Sequence, residues 1–314
     1  MIKKILVTPQ AFDIFNDGLQ NLFGDGYVVK FTGGQIQSKQ ELIHKLEGVD
    51  GCIIGGEKID KEVFDCCPDL KILSRFGVGY DSIDMNEANS HDVVVTVVTD
   101  INYLAIARHC LALLLALTNN ILTQNEIVKN EKWLKTYNLS PETNTIGLIG
   151  MGPIGLKFGK LCKNIGYNVI YYSRCDKNYS VFKYINSIDE LIIQSNIISL
   201  HLKSNTETKN IIDKRRIDLM ENKYFLNTSR GDLVDEEYLY KSLSNGKING
   251  AGLDVFVDEP AIGTSRKIQK LNNVVSTCHV AGYDITSITD VGIKSIENIK
   301  SFFKGDKINK IVNE

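Results

Sequence analysis

Three closely spaced glycines are the first residues in this sequence that point to a chemistry. Residues 145–155 read TIGLIGMGPIG, so Gly150, Gly152 and Gly155 keep the spacing Gly-x-Gly-x-x-Gly. Each glycine answers a different demand for space. The first permits a tight turn, the second lets backbone approach a pyrophosphate, and the third lets helix and strand pack closely. A strand is expected just before the motif and a helix, Ile154–Ile165, just after it. Pro153 suits the first helical turn, where its missing N–H is not needed. Gly152, Pro153 and Ile154 would then open a helix whose N-terminal N–H groups face the anion. The site expected is one for a nicotinamide dinucleotide. Residues 168–177, NVIYYSRCDK, bear on which one. NAD sites commonly end this strand with an acid that accepts from the ribose 2′-OH. Here Ser173 and Arg174 occupy the place, and serine with arginine can hold a 2′-phosphate that a carboxylate would repel. The residues therefore favour NADP(H) over NAD(H). The other reading leaves Arg174 as a solvated charge and gives the ribose to Asp176.

Strand–helix alternation along the whole chain supplies the elements that position this turn. Strands are expected at Lys4–Val7, Tyr27–Phe31, Gly51–Ile54, Lys71–Ser74 and Val93–Val97, with helices such as Lys39–Leu46 and Lys61–Cys66 between them. A long helical region, about Leu104 to Lys135, leads to a second series at Thr145–Ile149, Val169–Tyr172, Ile197–Leu200, Tyr224–Asn227, Ala251–Asp254 and Val274–Ser276. The segment Ser287–Phe303 is again helical. Such alternation means parallel sheets with helices on both faces. The 314 residues suggest two domains at about 150 residues each. Charge is nearly balanced, with 36 Lys and Arg against 38 Asp and Glu. That favours neither nucleic acid nor an anionic membrane as a partner. The seven cysteines include no Cys-x-x-Cys pair, which argues for a reducing cytoplasm and against a disulfide framework or a zinc ribbon. No ligand spacing suggests a metal. MIKKILVTP has too short an apolar run for a signal segment. Leu104–Leu117 is oily but too short to span a membrane.

Four further segments carry a resemblance. They are ILSRFGVGYDSID at 72–84, FLNTSRGDLVDE at 225–236, GAGLDVFVDEP at 250–260 and TCHVAGYD at 277–284. In order and spacing they closely resemble the D-isomer-specific 2-hydroxyacid dehydrogenase family, over essentially the whole chain. Within it they are most similar to short phosphoglycerate-dehydrogenase-like members without an appended regulatory domain. The resemblance implies a catalytic arginine, glutamate and histidine, which map to Arg230, Glu259 and His279. The residue types suit the reaction. Reducing a 2-keto acid takes a hydride on carbon, from a nicotinamide, and a proton on oxygen, which an imidazolium can give near neutral pH. Glu259 would favour the imidazolium and orient the ring, and Arg230 would bind the substrate carboxylate or carbonyl oxygen. Each residue alone has an ordinary structural use; three in matching motifs after strand ends define a site. Family members that oxidise formate carry glutamine where Glu259 stands, so the glutamate favours keto-acid chemistry.

The resemblance further implies a carboxylate cradle at Gly77, Val78 and Gly79, whose N–H groups can face an anion. Arg75 just before it matches phosphoglycerate dehydrogenases and would suit a phosphate or second carboxylate; a surface ion pair is its structural alternative. Asp254 matches an aspartate near the nicotinamide amide. Thr228 and Ser229 would line the same cofactor end, and His201 matches a cofactor-proximal histidine, with a purely structural role equally open. Several positions depart from the family pattern. Pro153 replaces an arginine of the glycine loop. Lys203-Ser204-Asn205 replaces proline-leucine-threonine, and Ile106-Ala107-Arg108-His109 replaces Val-Ala-Glu-His. Cys278 replaces a proline. None removes a catalytic group.

The expectation is an α/β protein of two doubly wound parallel-sheet domains, a Rossmann cofactor domain inserted into a flavodoxin-like substrate domain. Residues 1–98 plus 286–314 would form the substrate domain and 99–285 the cofactor domain. Hinges are expected near Thr99–Asp100 and Gly282–Thr286, closing a cleft during hydride transfer. The apolar helix Leu104–Leu117, with the resemblance, predicts a homodimer. Expected substrates are 3-phosphoglycerate/phosphohydroxypyruvate, then hydroxypyruvate or glyoxylate. An alternative of another class is a cofactor-sensing corepressor that binds protein partners; turnover at ordinary metabolite concentrations separates the two.

Overall fold

The computed structural model of the protein describes residues 2–308. The chain divides into two compact units, one holding the residues up to Asn102 together with those from Tyr283 onward, the other Tyr103–Gly282. The sequence expectation places its boundaries at 98/99 and 285/286.

The first unit runs β1 (Lys3–Val7), α1 (Leu19–Phe23), β2 (Tyr27–Phe31), α2 (Lys39–Leu46), β3 (Gly51–Ile54), α3 (Lys61–Cys66), β4 (Ile72–Arg75), α4 (Met85–Ser90) and β5 (Val94–Thr96). Its five strands lie in the order β2-β1-β3-β4-β5, all parallel. That is the flavodoxin-like doubly wound order. Strand residues alternate between the faces, as a two-residue period requires. Ile5, Val7, Ile53 and Ile72 join one buried cluster, whereas Leu6, Cys52, Ile54 and Leu73 join the other.

The second unit runs α5 (Tyr103–Thr118), α6 (Ile121–Lys129), β6 (Thr145–Ile149), α7 (Pro153–Asn164), β7 (Asn168–Tyr172), β8 (Lys183–Tyr184), α8 (Ile188–Gln194), β9 (Ile197–Leu200), α9 (Lys214–Asp218), β10 (Tyr224–Asn227), α10 (Glu236–Ser244), β11 (Gly250–Leu253), α11 (Gly263–Ile268) and β12 (Val274–Ser276). The chain then returns to the first unit as α12 (Ile285–Lys304). There Ile288, Val291, Ile296 and Ile299 cover one sheet face. Asp284 starts this helix by accepting the Ser287 N–H, and Gly305 ends it at φ 78°. The seven strands of the second unit follow the order β12-β11-β10-β9-β6-β7-β8, again all parallel. This is the Rossmann order with one strand added at an edge.

One expectation needs correction. The helical region from Leu104 to Lys135 is two helices and a tail. Asn120 takes a left-handed conformation between α5 and α6, and Asn119 Nδ2 donates back to the Leu115 carbonyl. Short amides bond their own backbone and tolerate that conformation, so they end helices. Helix α6 stops at Lys129, and residues 130–140 are irregular. Helix α5 buries Cys110, Leu113, Leu114 and Leu117 against α7 and β11. Among the described residues no single helix is long and apolar enough to cross a membrane.

Candidate active site and dinucleotide site

Every sequence-predicted residue of the second unit falls at or just beyond the carboxyl end of a parallel strand, where open α/β sheets bind ligands. The three motif glycines differ as their proposed uses require. Gly150 ends β6 at φ 105°, and a Cβ there would meet the His201 carbonyl oxygen at 2.3 Å. A Cβ on Gly155 would meet the Gly150 carbonyl oxygen at 2.4 Å. A Cβ on Gly152 would meet nothing within 4 Å, so open space adjoins the backbone at the N-terminus of α7. Pro153 opens that helix. A turn held tightly from behind and bare in front fits a pyrophosphate.

At the end of β7 the Ser173 hydroxyl donates to the Cys175 carbonyl at 2.6 Å, and Arg174 is exposed. The Asp176 carboxylate is turned elsewhere. It accepts from the Tyr171 hydroxyl and from the Asn178 N–H, and these bonds hold its pKa below the usual aspartate value. His201, just beyond β9, is half-buried beside Phe158, with Nε2 3.0 Å from the Ser199 hydroxyl. Its Nδ1 is buried with no hydrogen-bond partner among the described residues, and burial pushes its pKa down to about 3. It is therefore neutral at physiological pH.

Asn227, the buried last residue of β10, shapes the turn that presents Arg230. Its amide donates to the Arg230 carbonyl at 2.8 Å and its carbonyl accepts the Ser229 N–H at 2.9 Å. The Ser229 hydroxyl ties the turn to the Leu200 carbonyl at 2.7 Å, and the Thr228 side chain lies in the same turn. Gly231 follows without room for a side chain, since a Cβ would lie 2.0 Å from the Phe256 carbonyl carbon. The Arg230 turn thus abuts the loop carrying Glu259.

Glu259 and His279 come from separate loops, after β11 and β12, and meet. Glu259 Oε2 lies 2.6 Å from His279 Nδ1, and Glu259 Oε1 accepts the Phe256 N–H at 3.0 Å. The side chains remain 37% and 43% exposed, so the pair is reachable by a ligand. Burial pushes the Glu259 carboxyl up, but His279, the Phe256 N–H and the Arg230 guanidinium together outweigh it and leave the pKa below the usual value. The carboxylate fixes the ring through Nδ1 and leaves Nε2 for other chemistry.

His279 itself sits at φ 57°, a conformation few histidines adopt. Asp254 holds it there. The Asp254 carbonyl accepts the His279 N–H at 2.8 Å, while the carboxylate accepts the Val280 and Ala281 N–H groups, each at 2.9 Å. Thr277 also donates to this carboxylate, and His109 Nε2 lies 3.0 Å from the Thr277 hydroxyl. Asp254 was expected near the nicotinamide amide; both its oxygens are engaged by the histidine turn. Asn227, Thr277 and His109 received no role from the sequence, although all three lie inside motif segments.

In the first unit, Arg75 ends β4 and its guanidinium lies against the Phe76 carbonyl and Gly77. Gly77 takes φ 125°, and its carbonyl accepts the Val98 N–H at 3.0 Å. The Val78 and Gly79 N–H groups make no backbone hydrogen bond among the described residues.

This architecture has clear relatives. Residues 111–281 match the model of the NAD binding domain of D-isomer specific 2-hydroxyacid dehydrogenases. A glyoxylate reductase of Thermofilum pendens is 32% identical over 291 residues, covering 88% of this chain and 85% of that protein. A D-3-phosphoglycerate dehydrogenase of Archaeoglobus fulgidus is 31% identical over 317 residues, covering 99% of this chain. The chain spans only 59% of the length of that second relative. The crystal structure of an Aquifex aeolicus D-lactate dehydrogenase with NAD and lactic acid superposes with a TM-score of 0.87 at 26% identity, covering 99% of this chain and all of that one. The chain belongs to the D-isomer specific 2-hydroxyacid dehydrogenase family. It is an NAD(P)-dependent enzyme of that family, as its motifs led one to expect.

Proposed function

We propose that the protein reduces a small 2-keto acid to the D-2-hydroxy acid, and that phosphohydroxypyruvate, the 2-keto acid whose two-electron reduction gives 3-phosphoglycerate, is its substrate. The observation that carries the reaction is the 2.6 Å contact between Glu259 and His279 Nδ1. It leaves Nε2 as the proton donor to the keto oxygen, and as the base in the reverse direction. The Arg230 guanidinium binds the substrate carboxylate and stabilises the developing alkoxide. When bound, the reduced nicotinamide supplies the hydride. Gly150, Gly152, Pro153, Ile154 and Gly155 hold the pyrophosphate, and Thr228 and Ser229 line the nicotinamide end. In the first unit taken by itself, the Val78 and Gly79 N–H groups form the anion-binding turn of this reading, with Arg75 before it suited to a phosphate; the Gly77 N–H is taken by the Arg75 carbonyl at 2.9 Å.

NADP(H) is the preferred cofactor in this reading. Support comes from the exposed Arg174 next to Ser173 and from the diversion of Asp176 into its own loop. We also infer a homodimer. Trp133 and Tyr137, in the irregular tail after α6, are 86% and 98% exposed, and Leu134 between them is also bare. Apolar surface of this kind on one short segment calls for a partner, here a second copy. All seven cysteines are free, which supports a cytoplasmic location.

A second reading, glyoxylate or hydroxypyruvate reduction, is favoured by the glyoxylate reductase of Thermofilum pendens, which matches over most of its own length. Initial rates with the three keto acids, for the wild type and Arg75→Ala, separate the readings. Phosphohydroxypyruvate as best substrate, with the variant losing about tenfold or more on it alone, supports the phosphate role. Equal losses on glyoxylate would remove it.

A further inference from the structure

We propose that Glu236 and Ser265 form a clamp that positions Glu259 against His279, so that Glu236 is a positioning residue of the reaction. The proposal rests on the reading of Glu259 and His279 as the proton-handling pair.

Glu259 stands on an irregular loop between β11 and α11, and nothing in a loop's own backbone keeps it in one place. Here three successive backbone N–H groups of the loop are each captured by a side chain. Phe256 N–H donates to Glu259 itself at 3.0 Å. Val257 N–H donates to Glu236 Oε1 at 3.1 Å. Asp258 N–H donates to the Ser265 hydroxyl oxygen at 3.3 Å, and that hydroxyl donates to Glu236 Oε2 at 2.6 Å. Both oxygens of one carboxylate thus grip the segment that ends in Glu259, one directly and one through a fully buried serine. Glu236 opens α10 and Ser265 lies in α11, so the loop is fastened to two packed helices. On its other side the loop meets the backbone at Gly231, directly after Arg230. The carboxylate of Glu236 makes no contact with His279 in this arrangement; it acts through the loop.

The clamp matters because a contact of 2.6 Å tolerates little drift. Displacing a reacting group by about 1 Å can cost about a hundredfold in rate. Without Glu236, the Val257 and Asp258 donors would seek new partners, and Glu259 would leave the imidazole for part of the time.

The test is a double-mutant cycle on the full chain with Glu236→Ala, Glu259→Gln and the pair of substitutions together. Glu236→Gln serves as the folded control, because its amide oxygen still accepts from Val257. The readouts are kcat, its pH profile with the better of phosphohydroxypyruvate and glyoxylate, and the Kd of the reduced dinucleotide by fluorescence. Expected are a fall in kcat of about tenfold or more for Glu236→Ala, a Kd within about twofold, and a pH profile moved in the same direction as in Glu259→Gln. Glu236→Gln should stay within about threefold of wild type. The double variant should be no slower than Glu259→Gln alone, since both act on one contact. A slow Glu259→Gln beside an unaffected Glu236→Ala, or losses that multiply in the double variant, would overturn the clamp. An unaffected Glu259→Gln would overturn the catalytic pair, and the clamp with it.

Discussion

Acid should loosen this protein through His201. The half-buried ring packs beside Phe158, with one hydroxyl neighbour at Nε2 and a buried, unpartnered Nδ1. Burial lowers its pKa from 6.5 to about 3. The unfolded chain therefore takes up a proton below about pH 6.5, while the folded chain cannot do so until near pH 3. The full stability is present above about pH 6.5 and drains away as pH falls toward about 3. Each pH unit in that window costs up to about 1.4 kcal/mol, so acidification from about pH 8 to about pH 5 costs about 2 kcal/mol from this residue. The variant to compare is His201→Gln, whose amide can meet the Ser199 hydroxyl and does not titrate. Urea unfolding of the cofactor-free protein at both pH values gives the two losses. The wild type should lose about 2 kcal/mol more than the variant. Equal losses in the two proteins would refute a His201 held neutral by its surroundings.

Other residues make equally specific claims. Arg174→Ala should reduce the preference for NADPH over NADH by about tenfold, with NADH kinetics little changed, because one charge-assisted contact to a 2′-phosphate is lost. Gly152→Ala has an ordinary φ of −74° and open space for its Cβ. It should keep its melting temperature within about 2 °C yet bind the dinucleotide about tenfold more weakly. Gly150→Ala must displace the His201 carbonyl from 2.3 Å at a positive φ, and should lose about 2–4 kcal/mol of stability. Light scattering should give the mass of two chains, and Trp133→Asp should shift the equilibrium toward one.

The strands were legible because each is a compact apolar run between turn residues; Thr145–Ile149 and Ile197–Leu200 fall where the pattern puts them. The break at Asn119–Asn120 was not. Apolar residues continue through Ile121, Leu122 and Val128, and only the backbone conformation of Asn120 separates two helices from one. The two-residue strand Lys183–Tyr184 carries no periodicity to read. The same division runs through the site. Gly150, Arg230, Glu259 and His279 announce themselves by type and motif. Asn227, Glu236 and Ser265, to which the sequence assigned no role, work by capturing backbone N–H groups, as does Asp254, which the sequence marked for the nicotinamide end; some of these donors are more than twenty residues away. Those donors converge only when the parallel strands bring their carboxyl ends together. The motifs contain Asn227, Glu236 and Asp254, but which loop each one holds is visible only in the fold.

The measurement that bears most directly on the central claim compares the wild type with His279→Gln in two assays, reduced-dinucleotide binding and keto-acid-dependent oxidation of that dinucleotide. Dinucleotide affinity should be unchanged within about twofold, while kcat falls by about a thousandfold, since a positioned acid contributes about 10²–10⁴. A His279→Gln variant that binds the dinucleotide and turns over the keto acid at the wild-type rate would contradict the account.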